Sequence, residues 1–379
     1  MLNEEHKIIR DSLRAFATDR LAPQAAERDR TGAFPAETLR ELGELGAMGI
    51  TVSESYGGAG MDYRSLALAL EEIAAGDGAI STIVSVQNSL VCGILSRWGS
   101  EEQKKAWLPR LAQGAALGCF CLTEPHTGSD AGAIRTSARR TESGWVLNGT
   151  KQFITTGKHA DIAIVFAVTD RDAGKKGISC FLVPTFTPGY RTERLEEKLG
   201  QHASDTAQIV FEECQVPLDS VLGPVGAGYR IALSNLEAGR IGIAAQSVGM
   251  ARAALEAAIR YVKERQAFGR FLHEHQAVSF RLADMATQIQ AARQLVWYAA
   301  SLKDAGESSL EAASMAKLFA SEMAERVCSD AIQIHGGYGY VRDFPVERIY
   351  RDVRVCQIYE GTSDIQRLVI SRSLIESNK

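Results

Sequence analysis

A lone carboxylate, followed by a glycine and a helix start, is the feature of this sequence that most directly suggests acid–base chemistry. Glu360 precedes Gly361, and Thr362 or Ser363 can cap the helix that follows. The first amide groups of that helix would point toward the space that Glu360 borders, where an anionic cofactor is favoured. The helix dipole would lower the pKa of Glu360, whereas burial beside an apolar ligand would raise it. A working general base needs the second effect to prevail.

Two segments of the middle third combine hydroxyl and aromatic side chains. The loop from Phe120 to Asp130 is rich in hydroxyls and could hold a polar ligand, although a plain strand-to-turn exit has the same composition. In residues 151–157 a period of two puts Phe153 and Thr155 on one strand face. A ring could lie against Phe153 while Thr155 donates to it, but an aromatic residue two places before threonine is also common in ordinary strands.

Two glycine-containing segments have ordinary alternatives. Residues 264–270 end a long helical pattern, where Arg265 could reach a phosphate or serve only in helix capping. Residues 223–228 read Gly-x-x-Gly-x-Gly, and an interdomain turn is favoured over a phosphate loop there. The glycines do not form a strand-to-helix GxGxxG, which disfavours a Rossmann nucleotide site.

Composition excludes several classes of protein. The 379 residues carry a formal net charge of -4, with 42 basic and 46 acidic side chains, so nucleic acid is not an expected partner. The polar N-terminus and the lack of a long apolar run predict a cytoplasmic protein with no membrane span. Seven scattered cysteines fit a reducing compartment, and no cysteine or histidine pairs have zinc-site spacing, so no metal is expected.

The elements that must position these residues follow an α–β–α order. Helical spacing extends from Glu4 to about Gln113, short β-prone runs begin at Gly118, and alanine-rich helices return after the 223–228 glycines. Long helices are predicted at 240–265 and 275–305. We therefore predict an α+β multi-domain chain with a helical domain at 1–117, a β domain at 118–226 and a second helical domain at 227–379.

Taken together, the segments resemble the acyl-CoA dehydrogenase family over essentially the whole chain, and most closely its short-chain, butyryl-CoA-type members. The resemblance rests on Thr123-Glu124-Pro125 with Gly128-Ser129-Asp130, Asn148-Gly149 with Ile154-Thr155, Arg265 with Phe268-Gly269, Gln333 with Gly336-Gly337, and Tyr359-Glu360-Gly361-Thr362. It implies an N-terminal helical domain, a central β-barrel-like domain and a C-terminal four-helix bundle, assembled as a homotetramer with one FAD per subunit.

The resemblance also assigns residues. It implies cofactor contacts at Phe120, Leu122, Thr123, Ser129, Phe153, Thr155, Arg265, Phe268, Gln276, Gln333, Gly336, Gly337, Thr362 and Asp364. Of these, Arg265, Phe268, Gln276, Gln333 and Gly337 match positions that reach the FAD of a neighbouring subunit. It implies substrate contacts at Ser129, Glu237, Arg240 and Gly361, with Glu360 as the catalytic base.

The activity implied by the resemblance is FAD-dependent α,β-dehydrogenation of a short-chain acyl-CoA, straight or branched, to trans-2-enoyl-CoA in fatty acid β-oxidation. Glu360 would take the α-proton, flavin N5 would accept the β-hydride, and an electron-transfer flavoprotein would receive the electrons. The alternatives are an acyl-CoA oxidase or an eliminase-type member of the family, and a non-catalytic flavoprotein of the same fold.

Several positions depart from the family pattern or leave a choice open. Some members carry the base on the long helix after the glycine hinge, where this chain has Gly239, so Glu360 is the candidate base. Glu237 and Arg240 contact either the CoA chain or each other. His126 stands where small residues are usual and Phe153 where tryptophan is common, while residues 200–203 receive no role.

Overall fold

Seven helices build the N-terminal part of the chain. The computed structural model describes residues 2–377. The helices are α1 (Glu4–Phe16), α2 (Ala22–Thr31), α3 (Ala36–Glu44), α4 (Tyr63–Gly76), α5 (Gly78–Ser85), α6 (Gly93–Trp98) and α7 (Glu101–Ala112). Ser100 caps α7 in a reciprocal box with Gln103, at the start that its sequence predicts.

The stretch from Gly78 to Trp98 runs through α5, a π-helical turn at Val86–Cys92 and α6. Within residues 2–377 it is the one helix long and apolar enough to cross a membrane by length and composition. The protein itself buries 94% of its most apolar window. This stretch is therefore a core helix of the folded chain, and its polar residues satisfy internal partners such as the Ile50 N–H, which donates to Asn88 Oδ1.

Seven strands form the middle of the chain. They are β1 (Gly118–Cys121), β2 (Ser137–Arg140), β3 (Gly144–Thr155), β4 (Ile162–Val168), β5 (Ile178–Pro184), β6 (Tyr190–Leu195) and β7 (Thr206–Pro217). They make one curled sheet in the order β1-β4-β2-β3-β7-β6, and β5 pairs with β4. Strand β4, which pairs in parallel with β1, is buried from Ile162 to Ala167, because helices cover one face and the curled sheet closes on the other.

Five helices and a short ribbon complete the chain. They are α8 (Gly228–Glu264), β8 (Gln266–Ala267), β9 (Arg270–Phe271), α9 (Gln276–Asp304), α10 (Leu310–His335), α11 (Val346–Val353) and α12 (Ser363–Ser377). Helix α8 begins well before the predicted start at Arg240, although glycines weaken helices. The part before Arg240 belongs to the helical spacing that the sequence shows after the 223–228 glycines. Gly249 permits close packing on α4, since a Cβ there would lie 2.2 Å from the Glu71 carbonyl oxygen.

Candidate active site

Glu360 sits on a tight turn between a short 3₁₀ turn and α12. Its φ is +54°, and that of Gly361 is +93°, so both residues occupy the left-handed region. The buried side chain of Gln366 reaches back and donates from Nε2 to the Gly361 carbonyl at 2.8 Å. Thr362 Oγ1 accepts from the Ile365 N–H at 3.4 Å, which confirms Thr362 as the predicted cap of the helix.

The carboxyl group of Glu360 is withdrawn from water. Its Oε2 is buried and has no hydrogen-bond partner among the described residues. Burial raises the pKa of Glu360 to about 7, while the cations Lys317 and Arg240 act in the opposite direction. Burial, which raises the pKa of Glu360, therefore outweighs the two cations that lower it. A carboxyl group with such a pKa exchanges protons near neutral pH, as a general base must.

Helix α8 passes directly beside this carboxyl group. A Cβ placed on Gly239 would lie 1.8 Å from Glu360 Oε2, so glycine is what leaves room for the carboxylate. The alternative base position of the family thus faces the same spot that Glu360 fills. Glu237, two residues earlier, accepts instead from Lys303 Nζ at 3.2 Å and from Ser309.

Of the two alternatives for Glu237 and Arg240, a contact with each other is absent from the hydrogen bonds and ion pairs of the described residues. Arg240 is 5% exposed, and its Nη1 donates to Ser314 Oγ of α10 at 3.1 Å. Local i, i+3 spacing favoured a pair on one helix, but α9 and α10 offer each side chain a partner across the interface. Arg240 is buried, whereas Glu237 is partly exposed.

A polar network lies behind the base and was not predicted from the sequence. The Tyr359 hydroxyl donates to Gln246 Oε1 at 2.7 Å, and the Thr82 hydroxyl donates to Gln201 Oε1 at 2.7 Å. The Gln201 N–H donates to the buried carboxylate of Asp352. Residues 200–203, which received no role above, thus join the N-terminal helices, the sheet and α11. No local pattern could signal these contacts, which link residues more than 100 positions apart.

A buried ion pair holds the loop after β1. Lys151 is completely buried, and its Nζ donates to Glu124 Oε1 at 2.8 Å and to the Leu122 carbonyl at 3.0 Å. The same carboxylate accepts from the backbone N–H groups of Arg135 and Thr136 at 2.7 and 2.9 Å. The loop that carries Leu122 and its neighbour Thr123 is therefore fixed from within. Phe120, at the end of β1, packs edge to face on Phe166.

The end of β3 carries a bulge. The pairing with β7 shifts register between Lys151 and Ile154, and Phe153 takes a φ of +59°. Ile154 is buried, whereas Phe153 is 62% exposed and Thr155 half-buried. The predicted grouping of Phe153 and Thr155 opposite Ile154 agrees with this exposure, although the bulge interrupts the regular alternation on which it was based.

Other predicted contacts lie on exposed segments. Ser129 and Asp364 are exposed, and Asp364 pairs with Arg367, which offsets its negative charge at the start of α12. His126 also belongs to an exposed loop position, where its Nε2 lies 3.1 Å from the Ala133 carbonyl oxygen. That contact ties the imidazole to its own loop.

A second cleft lies at the other end of α10. Its volume is about 580 Å³, and it is lined by Tyr261, Arg265, Leu272, Ile334, His335, Gly336, Gly337, Tyr338, Val341 and Asp343. The Arg265 guanidinium stacks 5.8 Å from the Tyr338 ring. We call this cleft and the exposed residues Phe268, Gln276, Gln333 and Tyr340 around it the open face. Phe268 is 96% exposed.

The described residues fit a flat cofactor with a polar rim. The Phe153 ring is uncovered, and the hydroxyls of Thr156 and Ser363, one beside β3 and one at the start of α12, are buried without partners among residues 2–377. Such orphaned hydroxyls require a ligand or water. Phe120, Leu122, Thr123, Phe153, Thr155 and Thr362 therefore stand on segments able to hold FAD.

Comparisons with known proteins agree with this geometry. The N-terminal, middle and C-terminal domain models of acyl-CoA dehydrogenase match residues 3–115, 119–214 and 226–375. The human mitochondrial short-chain specific acyl-CoA dehydrogenase is 48% identical over 376 residues, covering 99% of this chain and 91% of that protein. An acyl-CoA dehydrogenase of Bacillus subtilis is 48% identical over 374 residues, covering 99% of both.

Solved structures extend the similarity to the fold. Butyryl-CoA dehydrogenase from Megasphaera elsdenii superposes with a TM-score of 0.97 at 42% identity, covering 99% of both chains. A chain from a structure of the electron transferring flavoprotein of Acidaminococcus fermentans has a TM-score of 0.98 at 45% identity, again covering 99% of both. A glutaryl-CoA dehydrogenase of Mycobacterium smegmatis in complex with FADH2 has a TM-score of 0.94 at 37% identity, covering 98% of this chain and 95% of that one. These matches confirm the predicted α+β architecture, with its N-terminal helical, middle sheet and C-terminal helical domains, and the FAD cofactor. The chain belongs to the acyl-CoA dehydrogenase family and is an FAD-dependent oxidoreductase that dehydrogenates acyl-CoA.

Proposed function

We propose that the protein oxidises a short-chain acyl-CoA, straight or branched, to trans-2-enoyl-CoA, with Glu360 as the base that removes the α-proton. The observation that carries this proposal is the buried, unpartnered Oε2 of Glu360, with a pKa raised to about 7 by burial. A carboxylate in this state accepts a proton near neutral pH without first giving up a hydrogen bond. The short-chain substrate is supported by the names of the relatives with 48% identity.

The residues around Glu360 divide the work. Gly239 leaves room for the carboxylate, and the left-handed turn at Glu360 and Gly361 directs it toward the substrate space. In this proposal the Glu360 N–H donates to the oxygen of the enolate that forms when the α-proton leaves. FAD, when bound, supplies the acceptor for the hydride that leaves the β-carbon. The segments at Phe153, Thr155 and the 122–124 loop would hold FAD, and Ser129, Glu237, Arg240 and Gly361 would contact the thioester or CoA.

Three finer assignments belong to the same proposal. An electron-transfer flavoprotein receives the electrons, which the similarity to a chain in the Acidaminococcus fermentans structure supports. The protein is a homotetramer, which the uncovered aromatic side chains of the open face support. It is cytoplasmic, and the seven buried, unpaired cysteines fit a reducing compartment.

The base assignment is tested with Glu360→Gln, which keeps the size of the side chain and removes its basicity. We expect purified Glu360→Gln to retain FAD and to bleach with butyryl-CoA under anaerobic conditions roughly 10²- to 10⁴-fold more slowly than the parent. The measurement is stopped-flow absorbance of the flavin. Bleaching at the parental rate in a variant with full FAD content would contradict the assignment.

The type of reaction is tested separately. The reduced protein is mixed with air-saturated buffer and, in parallel, with an electron-transfer flavoprotein. A dehydrogenase reoxidises slowly in air and quickly with its flavoprotein partner, whereas an oxidase reoxidises quickly in air. A panel of straight, branched and aromatic acyl-CoAs with an artificial electron acceptor then defines the acyl group.

A further inference from the structure

We propose that Lys317 is a positioning residue for Glu360, since its buried ammonium group anchors the Glu360–Gly361 turn and places a fixed positive charge beside the carboxylate. The inference rests on the proposed role of Glu360 as the base and deepens it. Lys317 belongs to none of the motifs that identified the site.

The first observation is the contact that Lys317 makes. Lys317 lies on α10 and is completely buried. Its Nζ donates to the Gly361 carbonyl at 2.8 Å, immediately after the base. Gln366 Nε2 donates to the same oxygen at 2.8 Å from the opposite side of the turn, on α12. A buried lysine is costly unless its ammonium group is satisfied, so a packing role alone would be served better by an apolar side chain.

The second observation is the conformation that this contact holds. Glu360 has a left-handed φ of +54°, which is unfavourable for a residue with a Cβ and persists only where the surroundings impose it. Two buried donors from different helices converge on the carbonyl of the next residue. Gln366 Nε2 also donates to the Glu360 carbonyl at 3.3 Å, so the two side chains hold the turn from which the Glu360 side chain projects.

The third observation is the charge around the carboxylate. Glu360 faces Lys317 from α10 and Arg240 from α8, and Lys317 in turn faces Cys356 and Glu322 as well as Arg240. Burial lowers the pKa of Lys317 to about 8, so its ammonium group keeps its charge at neutral pH. Burial also keeps the Cys356 thiol neutral by raising its pKa. The net effect of Lys317 on Glu360 is to favour the ionised, proton-accepting form.

The consequence concerns the pH at which the base works. Without the charge of Lys317, desolvation of Glu360 would be opposed by Arg240 alone, and the pKa of Glu360 would rise further. At neutral pH more of the carboxyl group would then be protonated and unable to accept a proton. A lysine with a purely structural role would leave the pH dependence of proton abstraction unchanged, which separates the two roles.

The test isolates proton transfer from oxidation. Holoenzyme is reduced with dithionite, so that it cannot accept a hydride, and is incubated with butyryl-CoA in D₂O between pH 5.5 and 9.5. Deuterium at the α-carbon of the recovered thioester is measured by mass spectrometry. The variants are Lys317→Met, which removes charge and donor, Lys317→Gln, which removes only the charge, and Lys317→Arg, which keeps both. Ser321→Ala, a buried change on the same helix, is the matched control, and FAD content and melting temperature are recorded for each.

We expect exchange by the parent to increase with a midpoint near neutral pH. Lys317→Met and Lys317→Gln should shift that midpoint upward by about one pH unit, which makes exchange roughly fivefold slower at pH 7, roughly tenfold slower well below the midpoint, and restores it at high pH. Lys317→Gln should approach the parental plateau more closely, because it keeps a donor for Gly361. Lys317→Arg should return the midpoint toward the parent, and Ser321→Ala should leave it unchanged.

Two results overturn the inference while leaving Glu360 as the base: an unchanged midpoint in both neutral variants, or an equal loss of rate at every pH. If Lys317→Met loses FAD, Lys317→Gln decides alone, and loss of FAD by both with retention by Lys317→Arg supports the need for the cation. Loss of FAD by all three variants overturns the specific role of the charge. Failure of the proposed function gives a different result, namely no exchange in the parent or undiminished exchange in Glu360→Gln.

Discussion

The surroundings of Glu360 and the open face differ in how completely a single chain covers their side chains. Around Glu360, α8, α10 and α12 bring Gly239, Lys317 and Gln366 together, and the Glu360 carboxyl is enclosed. The open face contains a cleft of about 580 Å³ with Phe268 standing 96% exposed beside it. One region is built by packing within the chain, whereas the other presents aromatic surface that the single chain leaves uncovered.

The comparison indicates a division of labour. Proton chemistry requires a desolvated carboxyl group in one orientation, and only dense packing provides that. Holding the distant part of a long cofactor requires contact area, which a second subunit can provide. We therefore expect substitutions around Glu360 to affect rate and pH dependence, and substitutions on the open face to affect cofactor retention and assembly.

The largest effect is expected for Gly239→Ala. Its Cβ would lie 1.8 Å from Glu360 Oε2, so the carboxylate must move by an ångström or more. A displacement of that size should slow flavin reduction by the substrate roughly 10²-fold, which anaerobic flavin bleaching would measure. The matched experiment introduces Gly239→Ala into a chain that carries Glu360→Asp, whose shorter side chain relieves the collision. An equal loss of rate in both backgrounds would show that Gly239 acts elsewhere.

An intermediate effect is expected for Asp352→Asn, in the network behind Tyr359. Burial raises the pKa of Asp352 to about 7, whereas an unfolded aspartate ionises near 3.8. Between these values the folded state binds the additional proton, so this group makes the protein less stable as pH rises from about 4 to 7. Asparagine remains neutral and should remove on the order of 2 kcal/mol of that decline, measured by denaturant unfolding across the pH range.

Asp219→Asn, the same change at an exposed position, provides the matched control for this substitution. Glu360 contributes to the slope in the same direction, since burial raises its pKa as well. A parental slope retained in Asp352→Asn would mean that Asp352 is already ionised in the folded protein at pH 5.

The smallest effect on folding is expected for Phe268→Ala on the open face. Because Phe268 is almost fully exposed, the free energy of unfolding of the single chain should change by no more than about 0.5 kcal/mol. FAD retention after dilution and the oligomer mass should nevertheless decrease, as measured by flavin absorbance and light scattering. Phe186, 80% exposed after β5, is the matched control. If Phe268→Ala and Phe186→Ala had the same FAD retention and oligomer mass, the open face would have no role in assembly.

Local patterns predicted a large part of this structure. The cap at Thr362, the end of α8 before Arg265 and the extents of α9 all depend on neighbouring residues, and the structure confirms them. Strand β6, inside the predicted β domain, gives little local signal of its own, because it is largely exposed and charged and so lacks the apolar pattern of a buried strand.

The candidate base was also found from the sequence, but its supports were not. Lys317 contacts Gly361 across 44 positions, and Gln201 contacts Asp352 across 151. Each of these side chains reads as an ordinary surface residue in its own helix or loop. Whether such residues are buried, and which distant residues they contact, depends on how the domains pack. A short stretch of sequence does not carry that information. The roles of the remaining predicted contact residues, including Ser129 and Gln276, stay predictions.

The ribbon that carries Phe268 has one more consequence. Its two short strands, β8 and β9, are joined through Phe268 and Gly269, both with left-handed φ. The aromatic ring is thus held outward by a closed hairpin and not by a loose loop. A surface that binds this ring meets a segment that is already ordered. The entropy of ordering its backbone is lost when the single chain folds, so association costs less entropy than it would with a flexible loop.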